Sequence, residues 1–289
     1  QGVYELGSTF KIFAVAQSME LGLINPDTLI NTRGPLQWGK FRIRDFHDYG
    51  PQLSATDVIV KSSNIGTARI AMEIGAERQQ SFLRELGFME ATPVELQEAP
   101  SGAPLLPRNW SELSTMTISY GHGLSSSPLH LAAAYSSILN GGTRVYPTLL
   151  KRETPQNGPR IIRSEISARS RSMLRQVVER GTASFGEVAG YEVGGKTGSA
   201  DQPKESGGGY YKDKVIATFA SVFPANDPKY VLIVTFDEPS ENSGARPRRT
   251  AGWTAVPVAA EMIRRVAPLL GLRPQVDTQE PIGVTLTSN

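Results

Sequence analysis

The sequence predicts a single α+β domain in which an antiparallel sheet is flanked by helices. Three observations predict it. Between residues 8 and 179 the apolar residues recur at helical spacing, in runs punctuated by glycine. Beyond residue 190 the pattern changes to short runs that are apolar on both faces, as in strands covered on both sides. A last helical run then occupies residues 256–270. Helices, then strands, then a helix is the element order of a layered α+β fold. Length agrees, since 289 residues with 39% hydrophobic content can bury one substantial core.

The elements follow in chain order. Residues 8–21 lie between Gly7 and Gly22 and are apolar almost all round, which predicts a buried helix. Residues 26–54 are rich in Gly, Pro, Arg, Asp and Tyr and read as loop with short strands. Thr56 and Asp57 can cap a short helix over 58–62. Residues 65–74 and 76–86 read as two helices, parted by Gly75 and ended by Gly87. An irregular stretch extends to about Trp110. A helix over 129–139 starts after Pro128 and stops at Gly141 and Gly142, and 164–179 is a polar amphipathic helix ended by Gly181. Strands are expected over 191–199, 215–223 and 230–236. The connection from Pro224 to Pro228 is short enough for an antiparallel pair. The domain is expected to occupy 1–273, with 274–289 a loose polar tail.

Composition removes several function classes. Lys+Arg 30 against Asp+Glu 28 leaves a net charge of +2, so no strong field points to nucleic acid. Cysteine is absent, which excludes a disulfide scaffold, a cysteine nucleophile and thiolate metal sites. His47, His122 and His130 do not pair at metal-ligand spacing, so no metal site is expected. His47 reads as a satisfied loop residue, His130 as a surface or packing residue, and His122, in a tight turn between Gly121 and Gly123, as a brace of the site. No apolar run of about 18 residues could span a membrane. The chain opens at Gln1 without a Met or a leader pattern, and reads as a piece of a longer protein.

Three short motifs carry chemistry. Ser8-Thr9-Phe10-Lys11 is S-x-x-K at a helix start, where residues three apart share a face. The Lys11 amine can therefore lie beside the Ser8 hydroxyl and activate it as a nucleophile, provided burial lowers its pKa. Ser62-Ser63-Asn64 offers a second hydroxyl, Ser62, to relay a proton to a leaving amine. The Asn64 amide could hold a substrate carbonyl or the Lys11 amine. Lys196-Thr197-Gly198-Ser199 lies on a strand. Lys196, Thr197 and Ser199 would bind a carboxylate, and bare Gly198 would let a substrate backbone pair with the strand edge. The Ser8 and Ser199 N–H groups would form an oxyanion hole. Taken singly, the three motifs are a chance S-x-x-K, a capped helix end and a common turn. Their order along one chain is the informative feature.

A phosphate-loop reading of Gly190 to Thr197 fails on context. That motif needs a helix immediately after it, and Gly198-Ser199-Ala200-Asp201-Gln202-Pro203 cannot start one.

S-x-x-K, S-x-N and K-T-G in this order are the signature shared by serine β-lactamases and penicillin-binding proteins. The chain resembles the transpeptidase domain of class B penicillin-binding proteins, from Tyr4-Glu5-Leu6-Gly7 to about Leu272. Ser62-Ser63-Asn64 and Gly121-His122-Gly123 are similar to the septal, cell-division type. Leu6 stands where the family usually has Pro, and Ser199 where Thr is common.

The resemblance implies the penicillin-binding/serine β-lactamase-like fold. It also implies a peptidoglycan D,D-transpeptidase that acts on stem peptides, is acylated by β-lactams and needs no cofactor. The family works at the periplasmic face of the inner membrane beside a division glycosyltransferase and other divisome proteins. Its anchor, pedestal and first sheet strands precede the S-x-x-K helix, so they are expected outside this chain. Two other outcomes keep the fold. A β-lactamase or carboxypeptidase would resolve the acyl-enzyme with water, with Glu179 as the conceivable base. A non-catalytic domain would only sense β-lactams.

Overall fold

The computed structural model describes residues 2–154, 156–204 and 209–275. Most of the tail expected over 274–289 lies outside these residues. Its first part is held, because Gln275 N–H donates to Gly190 O at 2.8 Å.

A helical lobe comes first. A 3-10 turn, Gly7–Phe10, runs directly into α1 (Lys11–Glu20). Every residue of α1 from Lys11 to Met19 is buried, because α1 touches α2 (Ala55–Val60), α3 (Asn64–Ile74), α4 (Ala76–Glu85), α5 (Glu112–Ser119) and α7 (Ser164–Arg180). An all-round apolar helix at the centre of a lobe is what its sequence predicts. The start differs from expectation, since Ser8 belongs to the 3-10 turn and not to the α-helix.

Two other boundaries differ as well. α2 is capped by Ser54, whose Oγ accepts from Asp57 N at 3.0 Å, and it ends before Ser62. α5 was not expected. It is rich in Ser and Thr, and Ser111 caps it by accepting from Ser114 N at 3.1 Å. α6 (Pro128–Leu139) begins with Pro at its first position, where no N–H is needed. Short strands edge the lobe: β1 (Leu29–Asn31) pairs with β4 (Gln52–Ser54), and β2 (Leu36–Trp38) with β3 (Phe41–Ile43). β5 (Thr143–Val145) pairs with β6 (Asn157–Arg160).

The main sheet is antiparallel, in the order β7 (Gly194–Pro203), β8 (Tyr210–Phe223), β9 (Tyr230–Asp237). Among the described residues no fourth strand joins it. Alternation sorts β7 into two faces. Gly194, Lys196 and Gly198 look toward the helical lobe, and a Cβ on Gly194 would lie 3.2 Å from Arg175 N of α7. Gly195, Thr197 and Ser199 look the other way, toward Phe219 and α8 (Ala255–Leu269). The sheet is covered on both faces, which explains its continuous apolar runs. The third motif thus lies between the two halves of the molecule.

Candidate active site

Ser8 is half-buried in the 3-10 turn, where residues i and i+3 eclipse, so Ser8 and Lys11 lie on one side. The turn is fixed from several directions. Gly7 N–H donates to Gly121 O at 3.2 Å, Thr9 Oγ1 to Leu6 O at 2.9 Å, and Tyr135 Oη to Thr9 O at 2.8 Å. Strand β7 presses against it. A Cβ on Gly198 would lie 2.2 Å from Leu6 O and 2.9 Å from Thr9 Cγ2. Gly198 therefore has no room for a side chain, because β7 meets the turn there. Gly7, at φ +56°, lies with its Cβ position 3.3 Å from the Ser199 backbone. The Ser199 amide is thereby brought against the turn. Among the described residues no hydrogen bond occupies the Ser8 hydroxyl.

Ser62 is placed by how α2 ends. Ser63 N–H donates to Val58 O at 2.9 Å and Ser62 N–H to Ile59 O at 3.2 Å. These are the two bonds of a Schellman cap, whose left-handed position usually belongs to glycine. Here it is Ser62, at φ +62°. A side chain in that conformation costs about 1 kcal/mol or more. The return is that Ser62 presents both its carbonyl and its hydroxyl to the lysines.

Lys11 Nζ donates to Ser62 O at 2.5 Å and to Ser62 Oγ at 3.0 Å. Lys196 Nζ donates to Ser62 Oγ at 2.9 Å and to Thr197 O at 3.2 Å. Both lysines are fully buried, and among the described residues neither forms an ion pair. Burial pushes the Lys196 amine down to about 7. It pushes Lys11 well below the ordinary lysine value. The nearby Lys196 charge adds to that drop and Asp45 opposes it. Both shifts favour the uncharged amine, which is the form that can act as a base.

Ser63 is the structural member of the second motif. Ser63 Oγ donates to Asp45 Oδ2 at 2.7 Å and accepts from Gly66 N at 2.9 Å, capping α3. Asn64 Nδ2 donates to Arg44 O at 2.9 Å, and Lys11 Nζ donates to Ser62 O and Oγ rather than to the Asn64 amide oxygen. Next to this loop opens a cavity of about 560 Å³, bordered by Arg33, Arg44, Asp45, Phe46 and Ile65.

In the third motif the hydroxyls are oriented by residues that sequence reasoning missed. Thr182 Oγ1 lies 2.6 Å from Thr197 Oγ1, and Ala251 N–H donates to Ser199 Oγ at 2.9 Å. No local pattern marks Thr182 or Ala251, because both arrive from distant loops. Glu179 does not face the site. It is exposed and paired with Arg175 at 3.1 Å, one helical turn away. His130 is buried rather than exposed, with Nδ1 at 2.7 Å from Ser127 Oγ and Nε2 at 2.9 Å from Glu90 O. His122 stands beside the turn, its ring 5.4 Å from Tyr120 and 5.9 Å from Tyr210. Burial lowers its pKa, against the opposing charge of Glu5.

The arrangement joins a serine hydroxyl, a buried amine whose charge is disfavoured by burial, a bridging hydroxyl and a second buried amine with two flanking hydroxyls. Such a set suits acyl transfer through a covalent serine intermediate.

Comparison with known proteins agrees. Residues 1–262 match the family described as the penicillin binding protein transpeptidase domain. The chain is 35% identical over 281 residues to the probable peptidoglycan D,D-transpeptidase FtsI of Caulobacter vibrioides, covering 94% of this chain and 47% of that protein. It is 35% identical over 282 residues to the penicillin-binding protein PbpB of Mycolicibacterium smegmatis, covering 91% of this chain and 43% of that one. The chain thus spans about half the length of these relatives. The apo transpeptidase domain of Burkholderia pseudomallei penicillin-binding protein 3 superposes with a TM-score of 0.86 at 32% identity, over 96% of this chain and 82% of that chain. Mycobacterium tuberculosis penicillin-binding protein 3 complexed with ampicillin gives 0.86 at 30% identity, over 97% and 65%.

Proposed function

The chain belongs to the penicillin-binding protein transpeptidase family, and from that premise we propose that it cross-links peptidoglycan stem peptides during septal cell-wall synthesis. The observation that carries the reading is the meeting of Lys11, Lys196 and Ser62 in one buried site beside the Ser8 turn.

In this reading the Ser8 oxygen attacks the carbonyl between the two terminal D-alanines of a donor stem peptide. Neutral Lys11 accepts the Ser8 proton. The tetrahedral oxyanion is held by the Ser8 and Ser199 N–H groups. Ser62, bonded to both lysines, passes a proton to the departing D-Ala amine, and the acyl-serine remains. An amine on a neighbouring stem peptide then attacks the acyl carbon and releases Ser8. Lys196, as the ammonium, anchors the donor carboxylate with the Thr197 and Ser199 hydroxyls, and Asn64 holds the donor peptide. β-Lactams enter the same path because they present a comparable acyl group and carboxylate. No cofactor takes part in these steps.

The same reading places the parent protein at the periplasmic face of the inner membrane, held by an anchor outside this chain. Its partners would be the division glycosyltransferase and other divisome proteins. Support for the septal assignment comes from the FtsI relative and the penicillin-binding protein 3 structures. Among the described residues no helix is long and apolar enough to cross a membrane.

The test supplies a D-Ala-D-Ala thioester analogue with a D-amino acid acceptor. Aminolysis product from the wild-type chain and none from Ser8→Ala is the expected result. Product made only by hydrolysis, at a rate untouched by the acceptor, would instead select the carboxypeptidase or β-lactamase reading. That alternative lacks a placed base, since Glu179 is tied to Arg175.

A further inference from the structure

Glu5 is a buried carboxylate that the acyl-transfer steps do not use. It is 8% exposed and lies two residues before the nucleophile turn. The segment from Tyr4 to Gly7 runs against the loop from Gly121 to Ser126. Backbone bonds join the two at the ends. Tyr4 and Ser126 exchange bonds of 3.0 and 2.9 Å, and Gly7 N–H donates to Gly121 O at 3.2 Å. Between these ends the loop carries the His122 side chain toward Tyr120 and Tyr210. Glu5 spans that gap. Its Oε1 accepts from Gly123 N at 2.8 Å and from Tyr210 Oη at 3.2 Å. Tyr210 opens β8, so one carboxylate oxygen ties together the nucleophile segment, the Tyr120–Gly123 loop and the sheet.

The fit around this tie is close. Gly121 is at φ +84°, and a Cβ there would fall 1.9 Å from Gly7 O. The peptide that carries the Ser8 N–H is therefore positioned by the loop, and the loop is positioned by Glu5. Reaction geometry of this kind is sensitive. A shift of about 1 Å at the reacting group can cost a hundredfold in rate.

We propose that Glu5 is a positioning residue for acyl transfer, which fixes the Gly7–Ser8 peptide through Gly123 and Tyr210. The proposal rests on the acyl-serine reading of the same site. What matters in it is the accepting Oε1, so an uncharged isostere should do nearly as well.

The test uses the full chain and a fluorescent penicillin, with the non-covalent dissociation constant Ks and the acylation rate constant k2 measured separately. Glu5→Ala should lower k2 by about 10–100-fold and leave Ks within about threefold. Glu5→Gln, which keeps the acceptor, should keep k2 within about threefold of wild type. A merely structural role would lower the yield of folded protein without dividing k2 from Ks in this way. Amide exchange at Gly123 gives a second reading, with protection lost in Glu5→Ala and kept in Glu5→Gln. Wild-type k2 in Glu5→Ala, or equal loss in both variants, would overturn the proposal. Should Glu5→Ala not fold, Tyr210→Phe removes one of the two donors and should lower k2 about tenfold. An unchanged k2 there would overturn it. A wild-type chain that no penicillin acylates would sink the acyl-serine reading instead. The brace itself would then stand or fall on the Gly123 exchange.

Discussion

Two regions meet at the turn Gly7–Phe10, and they are built by opposite rules. On one side Phe10, Phe13, Phe88 and Tyr135 form a closed aromatic cluster. Their ring centroids are 4.8–5.5 Å apart and none is more than 2% exposed. Edge-on and tilted contacts at such spacings add stability beyond burial alone. On the other side lie two buried lysines without a carboxylate partner among the described residues, and a serine in a left-handed conformation. That side costs stability, because an amine held in a dry site loses the water that favours its charge. The difference teaches how the site is kept. The rigid aromatic floor under α1 and the loop braces above it hold Lys11 where it would not choose to be.

The sharpest way to break the comparison is Lys11→Met. Acylation by a fluorescent penicillin should fall by about 1000-fold or more, since in the proposed mechanism Ser8 loses its base. The melting temperature should rise nonetheless, corresponding to on the order of 2 kcal/mol, because a similar-sized apolar chain fills the same buried space. A fall in both would show that the lysine is part of the stable core.

Phe13→Ala should do the reverse. Removing a fully packed ring is expected to cost about 3–5 kcal/mol in denaturant unfolding. In the fraction that remains folded, k2 should stay within a few-fold of wild type.

The smallest effect concerns pH. Burial pushes Lys196 down to about 7, and in the proposed mechanism its ammonium is the form that binds the carboxylate. The charged fraction falls as pH rises past about 7. Ks for a penicillin should therefore be flat below that value and rise about tenfold per unit above it. Stopped-flow measurement between pH 6 and 9 would show this, and Lys196→Met should bind weakly at every pH.

The two regions also differ in how legible they were. The floor was readable because α1 is apolar almost all round, and a helix with so little polar surface has only the interior to occupy. The three motifs were readable because S-x-x-K, S-x-N and K-T-G each fix residue types at short spacing. Their convergence on Ser62 follows from tertiary packing and has no local signature. Ser62 looked like an ordinary helix end, and nothing in Ser-Ser-Asn announces a left-handed serine. α5 was missed because its Ser and Thr residues compete for backbone bonds and weaken the helical pattern. Only the cap at Ser111 could have revealed it. Thr182 and Ala251 are brought to the site from distant parts of the chain, and the two donors that Glu5 bridges, Gly123 and Tyr210, lie far from it in sequence, so spacing could not have pointed to these contacts. Gly198 was noticed for a sound reason, its missing side chain. At that position β7 meets the nucleophile turn, which leaves no room for one.

The central claim is that Ser8 is the nucleophile of an acyl-transfer site. Intact-mass measurement after incubation with benzylpenicillin, followed by peptide mapping, tests it most directly. One adduct of the intact antibiotic's mass on the peptide that contains Ser8, absent from Ser8→Ala, is the expected result. An adduct on another residue, or an equal adduct in Ser8→Ala, would contradict it.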